Sequence, residues 1–163
     1  MYIESLNPKY RLEQLRDHAL LPYDLLLLAD ETQYAIDKYV FDSDVYTLKE
    51  DAKELAVFCL YPVDKETLEI KNIAVSSELQ GKGIGSLLIK EIIHLAKKDG
   101  YNTLIVGTAD CGVDQIRFYE RNGFVKYDVK KDFFTVNYKE PIIENGIQLR
   151  DMVMLQMKLF SSN

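Results

Sequence analysis

The fold is decided by the stretch Ile73-Ala74-Val75-Ser76-Ser77-Glu78-Leu79-Gln80-Gly81-Lys82-Gly83-Ile84-Gly85-Ser86. An apolar strand pattern ends there at a polar bend, and an apolar helical pattern follows. Gly81, Gly83 and Gly85 lack a Cβ, so the backbone can approach a ligand closely and adopt positive φ. The amides that open a helix have no partner within it, and with the helix dipole they form an anion site. The stretch therefore predicts a strand, a pyrophosphate-binding loop and a helix.

Three glycine-rich patterns compete for this loop. A phosphate-binding loop of the Walker type requires Gly-x-x-x-x-Gly-Lys-Ser/Thr, and Gly83 after Lys82 excludes it. The dinucleotide fingerprint Gly-x-Gly-x-x-Gly fits poorly, because Ser86 stands at the third glycine. The third pattern, Gln/Arg-x-x-Gly-x-Gly/Ala, is met by Gln80, Gly83 and Gly85. It resembles the acyl-CoA loop of the GNAT superfamily of N-acyltransferases, and a glycine-rich turn without a ligand stays open as an alternative.

Hydrophobic periodicity places the loop in one α/β domain, in which helices interrupt a mixed sheet. Before the loop, strands are predicted over residues 2–6, 45–48, 55–61 and 67–75, and helical segments over residues 10–20, 24–28 and 31–41. After it, helices are predicted over residues 84–98 and 113–122, and strands over residues 103–106, 124–129 and 151–159. Asn145-Gly146 predicts a tight turn. The helical segments that precede the sheet are expected either to pack on it or to line an acceptor pocket.

A second informative stretch is Gln115-Ile116-Arg117-Phe118-Tyr119-Glu120-Arg121-Asn122-Gly123-Phe124. Its periodicity predicts a helix that ends at Gly123, with Phe118 and Tyr119 as core aromatics. Phe-Tyr-Glu-x-x-Gly-Phe also resembles the C-terminal landmark of GNAT proteins, and the two motifs occur in that family's order and spacing. The resemblance extends over residues 45–159, and the tail is similar to that of an uncharacterised bacterial branch.

The resemblance implies a GNAT-like fold over a single acyl-CoA N-acyltransferase domain, residues 1–163. That fold is an α/β (α+β) arrangement with a mixed, mostly antiparallel sheet of about six to seven strands flanked by helices. Its central strand pair splays apart, and acetyl-CoA inserts into the gap as co-substrate, with no metal. Strand backbone groups would bind pantetheine and polarise the thioester, and loop amides would hold the pyrophosphate. The residues implied to bind acetyl-CoA are Ile73, Ala74, Val75, Gln80, Gly81, Lys82, Gly83, Ile84, Gly85, Ser86, Asp110, Gln115 and Tyr119.

Acetyl transfer to an amine also needs an acid for the leaving thiolate and a base for the attacking ammonium. The resemblance places Tyr119 where the family often has the acid, and Glu69 where some members have the base. A purely packed Tyr119 and an exposed strand carboxylate at Glu69 are the alternatives. One position departs from the family pattern, because Gly112 stands where an asparagine often binds pantetheine. Asp110 is either the substitute or a residue at the start of the helix.

Composition limits the partners of the chain. A formal net charge of −6 argues against general binding to nucleic acid or anionic membranes, and it suits a cationic amine of a small molecule or peptide. Apolar runs are too short to span a membrane, and the N-terminus lacks a signal-peptide pattern. Two cysteines favour a reduced, cytoplasmic protein. His18 and His94 show no metal-ligand spacing.

The segment 132–146 has two candidate uses. Its composition suits an amine with an apolar body, through Phe133, Phe134, Tyr138, Glu140 and Glu144. Docking of a homodimer partner is the alternative. For the whole chain, the first hypothesis is an acetyl-CoA-dependent N-acetyltransferase that works by direct attack. A CoA-sensing or interaction module and a nucleotide-binding protein are the other hypotheses, because one fold hosts many functions.

Overall fold

A computed structural model describes residues 8–160 of the chain. The strands are β1 (Tyr10–Leu15), β2 (Asp44–Glu50), β3 (Lys53–Pro62), β4 (Thr67–Val75), β5 (Thr103–Ala109), β6 (Val125–Lys130), β7 (Ile143–Glu144), β8 (Ile147–Gln148) and β9 (Met152–Lys158). The helices are α1 (Tyr23–Leu26), α2 (Gln33–Asp37), α3 (Ile84–Lys98), α4 (Val113–Arg121) and α5 (Phe133–Asn137). Of the helices within residues 8–160, none has the length and apolar character needed to cross a membrane.

Seven strands form one sheet in the spatial order β1-β2-β3-β4-β5-β9-β6. Its neighbouring strands are antiparallel, except that β4 and β5 run parallel. This topology confirms the predicted mixed, mostly antiparallel sheet. Strands β7 and β8 form a separate hairpin, and its turn residues Asn145 and Gly146 have φ values of 51° and 78°. A two-residue hairpin turn needs positive φ at both positions, so the predicted turn is confirmed as well.

Helices cover both faces of the sheet's centre. On one face, α3 and α4 pack on the sheet through a large apolar core that includes Leu88, Ile89, Ile92, Leu104, Ile116 and Leu155. On the other face, α1 and α2 pack through a smaller cluster that includes Leu26, Ile36, Val40, Val57 and Ala74. Strand β3 lies between the two and is buried without a break from Leu55 to Leu60. A strand covered on both faces has a continuous apolar sequence rather than an alternating one.

The strand and helix on either side of the glycine loop have the boundaries that the sequence predicted best. The structure has β4 at Thr67–Val75 and α3 at Ile84–Lys98, as predicted. The second predicted helix after the loop ends at Arg121, one residue early. The predicted strand at residues 2–6 lies outside the described residues. The helix predicted over residues 31–41 is wrong in length, because it breaks into α2 and a turn of 3-10 helix at Val40–Asp42.

The helix predicted over residues 10–20 is wrong in type. Residues Tyr10–Leu15 form the edge strand β1, which pairs along its whole length with β2. Leu12 is buried opposite Leu48, and this contact belongs to the main core. The mixture of Leu, Arg and Glu fitted a helical period, but pairing with a neighbouring strand overrides such a weak local preference.

Strand β4 contains a β-bulge that sets which side chains face the functional side. Lys71 has no partner in β3, because Cys59 pairs with Asn72 and the next residue, Leu60, pairs with Ile70. An extra residue reverses the alternation of side chains beyond it. Leu68 and Ile70 therefore face the α3 side before the bulge, and Ile73 and Val75 do so after it. Glu69 and Asn72 consequently share the opposite face, although they are three residues apart.

Candidate active site

The central feature of the site is a cleft between β4 and β5. The two strands pair only from Thr67–Ile70 to Thr103–Val106, which leaves the C-terminal halves of both strands apart. The backbone of Ile73, Ala74 and Val75 thus borders the opening on a side where β5 no longer pairs with it. The splay opens a cleft of about 1210 Å³. The predicted splayed strand pair is confirmed.

The glycine loop forms one end of this cleft. Gly83 is the N-cap of α3 with φ of 83°, and Gly81 has φ of 78°, a region that favours glycine. No side chain caps the helix, so the amides of its first turn lack intramolecular side-chain partners. Gln80 Nε2 donates to the carbonyl of Val75 over 3.1 Å and ties the loop to the end of β4.

Most of the predicted loop residues come together at the cleft. The loop residues that line it are Gln80, Gly81, Gly83, Ile84, Gly85 and Ser86. Lys82 is exposed and does not line the cleft. The geometry therefore offers backbone amides and the dipole of a 15-residue helix to an anion, rather than a lysine ammonium.

Helix α4 lies against the start of α3 and brings Tyr119 into the cleft. A Cβ on Gly85 would lie 3.1 Å from Cζ of Phe118, so the two helices touch where glycine leaves room. Asn122 Nδ2 donates to Ser86 Oγ over 3.2 Å and to the carbonyl of Phe118 over 2.8 Å. Asn122 was not predicted to have a role, and a contact between two helices leaves no local sequence signal.

Tyr119 is both a core residue and a cleft residue. Its ring makes edge contacts with Phe118 and Phe124, at centroid distances of 5.2 and 5.6 Å, and the residue is only 7% exposed. It also lines the cleft. Burial raises the pKa of its hydroxyl above the ordinary value for tyrosine. The hydroxyl therefore stays protonated at neutral pH, as a proton donor must.

Glu69 lies inside the cleft and is not an exposed strand charge, so that alternative is wrong. Glu69 is 7% exposed, and the ammonium of Lys71, at the bulge, lies 3.2 Å from its carboxylate. A nearly buried carboxylate needs such a partner, because desolvation penalises an isolated charge. The bulge thus supplies both the orientation of Glu69 and its counter-charge.

The far end of the cleft holds a hydrogen-bonded polar network. Asn72 Nδ2 donates to the carbonyl of Leu26 over 3.0 Å and to the hydroxyl of Tyr39 over 3.1 Å. The Tyr39 hydroxyl donates to Asp30 over 3.1 Å, and the Tyr138 hydroxyl donates to the other oxygen of Asp30 over 2.9 Å. Asn72 Oδ1 is buried and has no hydrogen-bond partner.

Two carboxyl groups meet at the rim of this far end. Glu31 and Glu144 both line the cleft, and Asp30 precedes Glu31 in the chain. Burial and the negative charges of Glu144 and Asp30 together raise the pKa of Glu31 to about 7. Glu31 follows α1 and Glu144 lies on β7, so the pair joins the helical layer to the small hairpin.

Comparison with known proteins identifies the family. A family model described as the acetyltransferase (GNAT) family matches residues 10–124. The chain belongs to the GNAT acetyltransferase family. YvbK of Bacillus subtilis (strain 168), described as an uncharacterized N-acetyltransferase, is 41% identical over 137 residues, which cover 84% of this chain and 88% of that protein.

Solved structures agree with this assignment. A GNAT family acetyltransferase from Elizabethkingia anophelis with acetyl-CoA bound is 41% identical, has a TM-score of 0.88, and is matched over 92% of this chain and 98% of that one. A protein described as an IAA acetyltransferase from Bacillus cereus ATCC 14579 is 38% identical, with a TM-score of 0.85 and coverage of 91% and 99%. A Bacillus subtilis acetyltransferase in complex with CoA is 38% identical, with a TM-score of 0.84 and coverage of 93% and 100%.

These matches show that the GNAT chain is an N-acetyltransferase and support binding of CoA. The two neighbours that were crystallised with acetyl-CoA or CoA share its fold over more than nine-tenths of its length. Within residues 8–160, no group of three or more His, Cys, Asp or Glu side chains is arranged to hold a metal ion.

The start of α4 departs from the expected GNAT pattern, because Gly112 stands where an asparagine is expected. Asp110 is exposed and does not line the cleft, and its backbone amide donates to the carbonyl of Asp151. It is not the N-cap either, because that residue is Gly112, without a side-chain cap. Gln115 does line the cleft, and its Oε1 would lie 3.0 Å from a Cβ on Gly112. The Gln115 amide occupies the space that a side chain at position 112 would need.

The helical layer and the 132–146 segment of this GNAT protein border the end of the cleft away from the glycine loop. Helices α1 and α2 pack on the sheet, as one of the two expected uses requires, and residues 27–31, which follow α1, line the cleft together with Ala35 of α2. Phe134 is buried with Ala109 and Leu149, which anchors the segment beside β5. Phe133, Tyr138 and Glu144 line the cleft, whereas Glu140 does not.

Proposed function

We propose that this GNAT acetyltransferase transfers the acetyl group of acetyl-CoA to a primary amine of a small molecule or peptide by direct attack. The observation that carries the proposal is the cleft between β4 and β5, which opens onto the uncapped start of α3. Both substrates can meet there, because the glycine loop lies at one end and the polar network at the other. The family assignment supports acetyl-CoA over a nucleotide as the ligand.

The chemistry of direct transfer is balanced by groups in the cleft. The amine nitrogen attacks the thioester carbonyl carbon, a C–N bond forms, and the C–S bond breaks to release CoA thiolate. Negative charge develops on the carbonyl oxygen, and main-chain amides along Ile73, Ala74 and Val75 that point away from β3, where β5 no longer pairs with β4, are the donors that would stabilise it. The loop residues Gln80 to Ser86 would hold the diphosphate.

Tyr119 is the proposed proton donor to the leaving thiolate. An ordinary tyrosine and an ordinary thiol differ in pKa by about 1.5 units. Burial raises the pKa of Tyr119, and a thiolate in the same desolvated cleft has its own pKa raised for the same reason. The two groups therefore stay close in proton affinity, which favours transfer within the transition state.

Glu69 is the proposed base, acting directly or through a water molecule. An alkylamine is mostly protonated at neutral pH and must lose a proton before it attacks. Glu69 lies in the cleft on the same face as Asn72, which puts its carboxylate on the acceptor side of β4. The Lys71 ammonium, 3.2 Å from that carboxylate, is the counter-charge that a carboxylate needs in a desolvated cleft.

The test is acetyl-CoA turnover with a panel of primary amines, measured as release of free thiol, in the wild type and in Tyr119→Phe. We expect turnover with the wild type and a fall in kcat of about 10²-fold or more in the variant, as for loss of a general acid. CoA affinity, measured by calorimetry, is expected to stay nearly constant. Unchanged kcat in the variant would remove Tyr119 from the mechanism, and no turnover with any amine would overturn the proposal.

A further inference from the structure

The acceptor end of the cleft combines apolar surface with a negatively charged rim. Leu27 and Leu28 line the cleft and are 42% and 50% exposed, so they offer apolar surface to a ligand. Asp30, Glu31 and Glu144 follow at the rim. An apolar strip that leads to carboxylates is suited to a molecule with an apolar body and a positive end.

Glu31 and Glu144 form a pair of carboxyl groups that both line the cleft. Burial and the neighbouring Glu144 and Asp30 raise the pKa of Glu31 to about 7, because these acidic neighbours repel a charged Glu31. A ligand ammonium placed between Glu31 and Glu144 would offset that repulsion. Asp30 is already satisfied, since it accepts from two tyrosine hydroxyls and from the backbone amide of Glu31.

Asn72 gives independent evidence of a missing ligand. The residue is 3% exposed and lines the cleft, and both hydrogens of its amide nitrogen are used by Leu26 and Tyr39. Its oxygen is left as a buried acceptor without a donor. Such an unmet acceptor is costly in a folded protein unless a ligand or water meets it. An amine N–H is the donor that an acceptor substrate would bring.

The cations that line the cleft do not cancel this charge. Lys71 lies against the carboxylate of Glu69, Lys130 lies over the ring of Phe133, and Lys38 lies over the ring of Tyr34. Arg121, the last residue of α4, also lines the cleft. None of these four cations is among the groups that act most strongly on Glu31. The rim carboxylates therefore remain available to a cation from outside.

On the basis of the proposed function, we propose that the acceptor carries a second cationic group, joined to the reacting amine by an apolar spacer. Asn72 Oδ1 accepts from the reacting amine, Leu27 and Leu28 contact the spacer, and the Glu31–Glu144 pair binds the second cation. Aliphatic diamines and longer polyamines are the simplest molecules of this class.

The test compares n-pentylamine with 1,5-diaminopentane, because the two share the reacting amine and the carbon chain. For the wild type we expect kcat/KM to be about tenfold higher for the diamine, the ratio that an ion pair of about 1.4 kcal/mol gives, beyond the statistical factor for two amines. In the double variant Glu31→Gln/Glu144→Gln this ratio is expected to fall towards the statistical factor. Glu140→Gln, an exposed carboxylate of the same segment outside the cleft, is the matched control and should keep the ratio.

Calorimetry separates this inference from the proposed function. 1,5-Diaminopentane is titrated into CoA-saturated wild type and into the double variant, each checked by thermal melting. Binding that is lost in the double variant supports the inference even if neither amine is acetylated, a result that would count against the proposed reaction alone. Equal kcat/KM for the two amines, or no diamine binding to the wild type, overturns the inference while acetylation of n-pentylamine leaves the proposed function standing.

Discussion

Gly85 and Phe118 touch so closely that a Cβ on the glycine would lie 3.1 Å from Cζ of the ring. This contact joins the first turn of α3, which carries the loop amides, to the helix that carries Tyr119. Such a separation is tighter than an ordinary van der Waals contact, so an added methyl group must displace the ring. The glycine therefore serves helix packing, in addition to any close approach of the ligand.

We expect Gly85→Ala to raise the KM for acetyl-CoA about fivefold, because the displaced Phe118 ring disturbs the first turn of α3 and the adjacent Tyr119. Overpacking of this kind typically costs about 1–3 kcal/mol. The double variant Gly85→Ala/Phe118→Leu restores space and should recover most of the loss. Steady-state kinetics with acetyl-CoA as the varied substrate measures this. A KM that is the same in the single variant and the wild type would show that the contact does not matter for CoA.

Tyr39→Phe removes the hydroxyl that links Asn72 to Asp30. Asn72 then loses a buried hydrogen bond and Asp30 loses a part-buried one, and leaving buried polar groups unmet costs about 1–3 kcal/mol. For a protein of this size each kcal/mol lowers Tm by about 3 °C. We therefore expect thermal melting about 3–9 °C below the wild type.

The matched control for that substitution is Tyr34→Phe. Tyr34 is 70% exposed and keeps its ring contact with Lys38 when the hydroxyl is lost. Its Tm should stay close to the wild-type value. Equal melting temperatures for Tyr39→Phe and Tyr34→Phe would mean that solvent replaces the lost bonds of the network.

Glu31 is expected to make stability depend on pH. Its pKa rises from an ordinary carboxyl value to about 7 in the folded protein, through burial, Glu144 and Asp30, with Tyr138 close by on the same network. A raised carboxyl pKa means that the folded state binds more protons than the unfolded state, so stability falls as pH rises from about 4.5 through about 7. The carboxyl is only partly buried and still in contact with solvent, so screening limits the contribution to about 1 kcal/mol.

Glu31→Gln removes this proton exchange and should flatten the pH dependence of Tm. Relative to the wild type, the variant should gain about 3 °C between pH 5 and pH 8. Melting at several pH values, with Glu140→Gln as a control carboxylate outside the cleft, measures the difference. A parallel pH profile for wild type and Glu31→Gln would contradict the prediction.

The end of the cleft that holds the glycine loop was predictable because its signals are local. Glycine spacing, the strand before it and the helix after it lie within one continuous stretch, and the structure has β4 and α3 at the predicted boundaries. The type of β1 was not predictable in this way, because its strand form depends on pairing with β2. The bulge at Lys71 was not predictable either, because no glycine in the sequence marks the point where side-chain alternation reverses.

The end of the cleft that holds the polar network depends on contacts that no local pattern encodes. The hydrogen bond between Tyr138 and Asp30 joins residues 108 positions apart, and the bond between Asn72 and Tyr39 spans 33 positions. Tyr39 fitted the apolar side of a helical period, and Glu31 fitted only the start of the same predicted helix. Only the fold brings these groups to one cleft.

Gln115→Ala is expected to weaken CoA binding, whereas Asp110→Ala should not. Gln115 lines the cleft beside Gly112, and its amide can hydrogen-bond a peptide-like group of pantetheine. One neutral hydrogen bond contributes about 0.5–1.5 kcal/mol, which corresponds to about a two- to twelvefold change in Kd. Asp110 is exposed outside the cleft, so its removal should change Kd by less than about twofold.

Calorimetric titration of CoA into both variants and the wild type measures this pair of effects. Both substitutions shorten a polar side chain near the start of α4, so each serves as the control for the other. A loss of affinity in Asp110→Ala and none in Gln115→Ala would reverse the assignment, and Asp110 would then have to reach the ligand through movement of the loop before α4. Equal Kd values in all three proteins would instead mean that backbone groups of β4 and the glycine loop hold CoA without help from either side chain.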